Sequence, residues 1–444
     1  MLAAFRVRNY RSFLLEQEFS LWDERKGRDP KERPQPLAVA AIYGANASGK
    51  SNLLRAMGFG RNAVLGSHRR WKPDGGVRGR VPFLLAGPAQ AEPTLIEYEL
   101  LLEGTRYQYG FECTDSAFVR EWLYAYPRSK RQTWYERNAA DEDPWYFSRQ
   151  FPGPNRLVAS TTRSNALFLS AAAAVGHPGI RLVYEWFSQH LSPVANSDGR
   201  LELMSFSLGV LNDAEHADRR ERLLDLVRAA DLGIVDGRVR VREFTEGERD
   251  RIVRVLRAVS DADNGIEDGD AAEALEAASR YIEFSHSGGE GEAVPLPLES
   301  ESFGTRALVA LSGPVLIALE DGDTLLVDEL DASLHPRLVA EIIRLFLNPA
   351  TNPNRAQLVF TTHDTSLLGN LAGRGRTLDR SLVWLVEKAR TGSSTVYPLT
   401  DFSPRPDENL ERGYLQGRFG GVPVVSDTFG QPGPITPTDP AGNA

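Results

Sequence analysis

Apolar and polar residues alternate from the first residues of the chain. Phe5 and Val7, then Phe13, Leu15 and Phe19, sit between polar neighbours. This period of two predicts two short strands within residues 2–21, joined by Asn9-Tyr10-Arg11-Ser12. Residues 23–36 form a charged, proline-containing loop. Leu37 to Tyr43 is then continuously apolar, the pattern of a strand buried on both faces. It ends in a glycine-bearing turn and a helix predicted from Lys50 to about Met57. From 95 to 150 the chain alternates again and is rich in aromatic residues, which predicts an antiparallel sheet. Arg156 to Ser170 leads into a helical stretch, Ala171 to Leu191. Leu223, Leu224, Leu226, Val227 and Leu232 fall at helical spacing. Residues 324–327 and 357–361 read as short buried strands, separated by an amphipathic helix near 336–347. No stretch sustains heptads, so no long coiled coil is expected.

Composition adds limits to this outline. The chain has 444 residues, 41% hydrophobic and 25% charged, which is ordinary globular usage. The longest nearly uncharged apolar run, Ala307 to Leu319, is broken by Ser312, Gly313 and Pro314 and is too short to span a bilayer. With no signal-peptide pattern at the start, a cytoplasmic protein without a membrane segment is expected. The lone cysteine, Cys113, can form neither an internal disulfide nor a zinc hook. A net charge of −9 argues against an indiscriminate polyanion binder. Residues 61–80 hold six Arg or Lys against one Asp, which reads as a solvated loop, with a nucleic-acid or partner contact as the sharper reading. Residues 261–276 hold seven acids and no base, a solvated face rather than a metal site. The last nineteen residues are rich in Pro, Gly and Thr and read as a disordered tail.

The chemistry concentrates in a few strings. Gly44-Ala45-Asn46-Ala47-Ser48-Gly49-Lys50-Ser51 fits GxxxxGK[ST], after a buried strand and opening a helix. Successive amides in such a turn form an anion nest, and the helix N-terminus adds its positive end. Lys50 is placed to reach the β- and γ-phosphates of ATP, and the Ser51 hydroxyl to ligate Mg²⁺. Only six residues of the chain are lysine, so a chance match is rare. Thr324-Leu-Leu-Val327 is followed by Asp328 and Glu329, an acid pair at a strand's C-terminal end, where α/β sites form. Asp328 can hold Mg²⁺ and Glu329 can polarise an attacking water.

The order GANASGKS, ESFGTR (Glu301 to Arg306), LLVDELDASLHP and TTHD resembles the ABC-type ATPases, most closely the SMC-, RecF- and OLD-like branch. The 278 positions from Lys50 to Asp328 fit that branch and not small GTPases. The resemblance implies an α/β head: a mixed sheet around the P-loop, an antiparallel β-subdomain and a helical lobe bearing the signature. It divides the chain into a P-loop lobe with the β-subdomain over 1–194, a helical lobe over 195–310, the remaining ATPase core over 311–425 and a tail over 426–444. It assigns Ser302, Gly304 and Thr305 to the signature that meets a partner's nucleotide. Asp331 becomes the D-loop aspartate, and His363 the switch histidine beside Glu329 and Lys50 as catalytic residues. Asn52 and Arg11 join the nucleotide-binding set. His335 is expected to be structural, ahead of the helix-initiating Pro336. The signature departs from the transporter form at Phe303 and Thr305, and no glutamine between Met57 and Phe168 announces a Q-loop.

The opening FRVRNYRSF resembles the first hairpin of RecF/OLD-like heads, and the strings NALFLS, AADLGI and YLQGRFGGVP are similar to the prokaryotic AAA family ATPases of RloA and AbiL type. That group implies a dimerising ATPase of a phage-defence or abortive-infection system, acting on a separately encoded effector. A RecF-like repair head that clamps DNA is the second reading. A self-contained nuclease is the third, and it fits poorly, because only 81 residues follow His363 and they show no acidic metal constellation.

Overall fold

The computed structural model describes residues 1–23, 34–127, 130–194, 200–213, 215–230, 233–259, 275–276, 278–288, 292–370, 375–405 and 408–423. The acidic run near 261–276 and the proposed tail therefore lie almost wholly outside the described residues, as does most of the charged loop 23–36.

Strands β1 (Leu2–Arg8) and β2 (Gln17–Ser20) pair as expected. Leu15 does not join them; it lies in the turn with 67% of its surface exposed. β3 (Val39–Gly44) is buried along its whole length. The helix after it runs Lys50–Gly66, nine residues past Met57. Its inner glycines look like breakers in the sequence, yet they let the helix approach the sheet. A Cβ on Gly60 would collide with the Tyr98 hydroxyl, which itself donates to the Met57 carbonyl at 2.5 Å.

β4 (Thr94–Leu102), β5 (Thr105–Cys113), β6 (Phe118–Tyr126), β7 (Gln132–Asn138) and β8 (Trp145–Phe147) supply the antiparallel sheet. The N-terminal hairpin completes it, giving seven strands in the order β2-β1-β4-β5-β6-β7-β8. The helical stretch expected over 171–191 is interrupted. Helices Phe168–Ala174 and Arg181–Glu185 flank Gly176, whose φ is +66°, and Pro178. A left-handed glycine and a following proline are a strong helix stop.

The segment from 195 to 310 is not purely helical. Helices Arg200–Asn212, Ala217–Arg228 and Glu246–Val259 accompany a three-stranded antiparallel sheet of β9 (Ile234–Val241), β10 (Arg280–Ser287) and β11 (Ala293–Pro297), ordered β11-β10-β9. β9 and β11 are dominated by charged, exposed and proline positions, so their alternation is faint. Helix Phe303–Asp321 leads to β12 (Thr324–Val327), helix Pro336–Leu347, β13 (Gln357–Thr361), β14 (Val383–Lys388) and β15 (Ser394–Pro398). The resulting sheet has the order β12-β13-β3-β14-β15. Its first four strands are parallel and β15 is an antiparallel edge.

Side-chain alternation on β3 explains the layering. Ala40 and Ile42 join the core beneath the seven-stranded sheet and the P-loop helix. Val39, Ala41 and Tyr43 join the core formed with helices Phe303–Asp321 and Pro336–Leu347. A strand with both faces in a core must be apolar throughout, as the sequence has it.

Helix Phe303–Asp321 is longer than the interrupted apolar run suggested, and 72% of its most apolar window is buried inside the protein. It is long and apolar enough to cross a membrane by length and composition. Here Leu308, Leu311 and Val315 face one core while Val309 and Leu316 face another. Pro314 does not break it. Ser207 inserts its hydroxyl into the gap, donating to Val309 O at 2.6 Å and accepting from Gly313 N at 3.0 Å. The carbonyl that Pro314 leaves without its amide partner, Ala310 O, lies 3.4 Å from the same hydroxyl. Ser207→Ala leaves both buried backbone groups unpaired, so a loss of roughly 1–3 kcal/mol is expected in urea denaturation. An unchanged midpoint would show that the helix spans Pro314 without this bridge.

Candidate functional site

β3 delivers the chain into the glycine turn. At Gly44 a Cβ would collide with the Val386 carbonyl of β14, so only glycine fits that close approach. Ala47 (φ 61°) and Gly49 (φ 115°) take left-handed conformations, and Gly49 caps the helix that starts at Lys50. A Cβ on Gly49 would come within 2.5 Å of Ser394 Oγ and 2.7 Å of Ser12 Oγ. Asn46 and Ala47 are exposed, whereas Ser48 is buried and its Oγ has no hydrogen-bond partner.

Lys50 is buried and folds back over the loop, donating to Gly44 O at 2.8 Å and Ala45 O at 3.1 Å. Burial lowers its pKa to about 8, against the opposing pull of Asp328, Glu329 and Asp331. Ser51 Oγ donates to Asp328 Oδ1 at 2.9 Å. Asn52 reaches Ser12 Oγ at 2.9 Å.

The acid pair stands where β12 ends. Asp328 is buried, and Thr361, the last residue of β13, donates to the same Oδ1 at 2.6 Å. Thr361 Oγ1 also accepts the Glu329 amide at 2.7 Å, and Glu329 takes a left-handed φ of 55°. A non-glycine residue held in that region is strained. One threonine therefore fixes both the orientation of Asp328 and the backbone turn that presents Glu329. The His363 amide donates to Asp331 at 3.3 Å. Partial desolvation and then Lys50 lower the His363 pKa, which leaves its ring neutral near pH 7.

Gly44 to Asn52, Asp328, Glu329, Asp331 and His363 are thus gathered at one edge of the sheet. Arg11 lies beside it: its neighbour Ser12 contacts Asn52, its φ is 49°, and its Nε is buried without a partner. The signature residues are elsewhere. Ser302 caps helix Phe303–Asp321, accepting from Thr305 N at 3.1 Å, and the Thr305 hydroxyl lies 2.9 Å from Ser302 Oγ. A Cβ on Gly304 would approach Ser333 O at 3.0 Å, so this helix end packs on the turn after Asp331. Among the described residues no hydrogen bond joins Ser302, Gly304 or Thr305 to the P-loop. His335 caps helix Pro336–Leu347 by accepting the Arg337 amide at 3.2 Å, a structural role as expected.

Sequence reasoning missed Thr361, Ser12 and Ser394. Ser394 Oγ donates to Ser48 O at 2.5 Å, and its amide donates to Ser12 O at 2.7 Å, so β15 braces the turn from outside. Small hydroxyl residues at strand ends carry no pattern of their own. Thr361 alone had a signal, its place just ahead of Thr362 and His363. The basic stretch 61–80 is not a free loop. It begins inside the P-loop helix, Trp71 is buried and stacks on Phe118, and Arg80 engages Thr94, Asp115 and the Glu92 carbonyl.

The architecture is α/β, with a mixed five-stranded sheet that delivers the glycine turn and a seven-stranded antiparallel sheet beside it. Residues 39–369 match the family described as "AAA domain, putative AbiEii toxin, Type IV TA system", and the chain belongs to that family. No curated protein matches. Among solved structures, an SmcHead bound to the C-winged helix domain of ScpA is similar at 13% identity, over 89% of this chain and 96% of that one, with a TM-score of 0.44. The SMC head domain from Thermotoga maritima is 15% identical, over 89% and 98%, with a TM-score of 0.39. An Smc head domain with an extended coiled coil, bound to the C-terminal domain of ScpA derived from Pyrococcus furiosus, is 13% identical, over 89% and 95%, with a TM-score of 0.38.

The Lys50 pKa near 8 gives a signed expectation. An anion needs the protonated ammonium, so nucleotide affinity should be level below pH 8 and fall above it, by up to about tenfold per pH unit. Titration of a fluorescent ATP analogue from pH 7 to 9.5 measures this. A flat profile would place Lys50 outside the phosphate contacts.

Proposed function

We propose that this protein hydrolyses ATP at a site completed by a second copy of the chain, and that its nucleotide state controls a separately encoded effector in a prokaryotic anti-phage or abortive-infection system. The observation that carries the ATPase reading is the chain of contacts Ser51–Asp328–Thr361–Glu329 beside the buried Lys50. The toxin–antitoxin description of the family supports the defence setting.

The residues fit the groups this reading requires. The unpartnered Ser48 hydroxyl and the space kept open at Gly44 and Gly49 suit a phosphate group. Ser51 and Asp328 would hold Mg²⁺, which when bound neutralises charge on the phosphates. Lys50 exchanges its two carbonyl partners for phosphate oxygens and stabilises the charge that develops during transfer. Glu329, fixed at the strand end, accepts a hydrogen bond from the attacking water and aligns it. The neutral His363 ring contributes a hydrogen bond at the γ-phosphate, its backbone held by Asp331. Gly44 to Asn52 and Arg11 surround the nucleotide. On this reading 1–194 and 311–425 form the catalytic halves and 195–310 the lobe that moves with them.

The dimer rests on the signature helix. Ser302 stands at the N-terminus of a 19-residue helix, with no hydrogen bond to its own P-loop among the described residues, and the adjacent Phe303 is 69% exposed. A long helix N-terminus is a ready anion site, and a second copy's γ-phosphate would satisfy it. Loss of that phosphate on hydrolysis then loosens the interface and signals to the effector.

Glu329→Gln keeps the shape but removes the water-orienting carboxylate. ATP should still bind while turnover drops about a hundredfold or more, read by phosphate release. Near-normal turnover would sink the assignment. Mixing Lys50→Ala with Ser302→Arg protein tests the shared site. Each variant alone should be inactive, and the mixture should regain activity, because a mixed dimer keeps one intact pair of elements. No recovery despite confirmed subunit exchange argues against independent shared sites.

A further inference from the structure

A cavity of about 580 Å³ runs along the flank of the P-loop helix, away from its N-terminus. The helix contributes Arg55, Gly58 and Asn62, which lie on one face at intervals of three and four residues, with Arg61 beside them. Gly58 is about 12 Å along the axis from Lys50, so most of this cavity lies beyond the phosphate turn. Arg11 and Arg78 complete its charged lining. Two glycines keep it open. A Cβ on Gly58 would press within 3.2 Å of Val194, and Gly79, at φ +83°, takes a backbone conformation only glycine adopts freely.

The lining is unusual in charge. Four arginines face the cavity and no carboxylate lines it. Arg80 is engaged with Asp115 and Arg61 Nε with Leu191 O at 2.7 Å, but Arg55 and Arg78 form no ion pair among the described residues. Arg11 Nε is buried and unpartnered. Like-charged guanidinium groups around one concave site repel one another, and an anion among them offsets that repulsion. The net charge of −9 makes this a local feature rather than part of a general basic surface. The aromatic residues Tyr10, Phe59 and Trp71 are nearly fully buried, so the site offers charge and hydrogen bonds rather than stacking faces.

We propose that this cavity is a second anion site, separate from the P-loop, that binds phosphate or phosphodiester groups through Arg55 and Arg78. Guanidinium matches phosphate oxygens with paired N–H donors. Arg11 links the cavity to the nucleotide, since its neighbour Ser12 contacts Asn52. Occupancy at one site therefore bears on the other.

The test uses full-length Lys50→Ala protein, in which the P-loop contact is weakened, so that failure here leaves the ATPase reading untouched. Inorganic pyrophosphate and a short thymidylate single strand are titrated separately by calorimetry at low salt. At least one should bind, with affinity that falls as salt rises, and Arg55→Glu/Arg78→Glu should weaken binding about tenfold or more. Binding of pyrophosphate alone identifies a small phosphorylated ligand as the source. Binding of the strand alone identifies a nucleic-acid backbone. Should the double reversal unfold by circular dichroism, Arg55→Gln/Arg78→Gln replaces it with the same expected direction. No binding of either probe, or binding undiminished in the folded arginine variants, overturns the proposal.

Discussion

Three distant pieces of chain meet at the Asp328 carboxylate. Ser51 lies in the first turn of the P-loop helix, Asp328 follows β12, and Thr361 ends β13, and two hydrogen bonds to one oxygen hold them together. A buried charge without such partners would cost several kcal/mol, so this cluster dictates the register between strands and helix. β3, β12 and β13 are parallel and adjacent, which places their C-terminal ends on one edge of the sheet. The glycine turn, the acid pair and the Thr-Thr-His-Asp string converge there because the strands carry them to the same edge.

Around that edge the protein divides its contacts by rigidity. The turn is braced on its far side by Ser12 and Ser394, and behind β3 by Tyr43, whose hydroxyl donates to Asp364 O at 2.8 Å and whose ring meets Tyr414 edge-on. The string YLQGRFGGVP thus sits behind the phosphate turn, where Gly421 approaches Gly44. Helix Phe303–Asp321 is different. Its body is locked between two cores, while its N-terminus packs on the turn after Asp331 and leaves Phe303 exposed. That leaves one end of a rigid element at the surface, in a position to report on what approaches it.

Much of this was legible in the chain. β3 announced itself because both faces are apolar, and the phosphate turn because glycine, lysine and serine at fixed spacing have few other uses. The acid pair and His363 were readable from their place directly after apolar strands. Other elements were obscured by physics the sequence does not display. Gly58 and Gly60 look like helix breakers until Val194 is seen against the first and Tyr98 in the space where a side chain of the second would be. Pro314 looks like a helix end until Ser207, more than a hundred residues earlier, is found in the ladder. The sheet β11-β10-β9 is exposed and charged, so its alternation is too weak to separate from loop.

The sequence by itself determined the local pieces: the glycine turn between a strand and a helix, the carboxylates at a strand end, and the strand that is central. Those are local properties, fixed by residue type and spacing. Only the tertiary structure decided which groups act on one another. Thr361 became the shared partner of Asp328 and Glu329, Ser394 the brace of the P-loop, and four scattered arginines the lining of one cavity. The reason is that burial and side-chain pairing act across hundreds of residues, and no spacing rule along the chain encodes them.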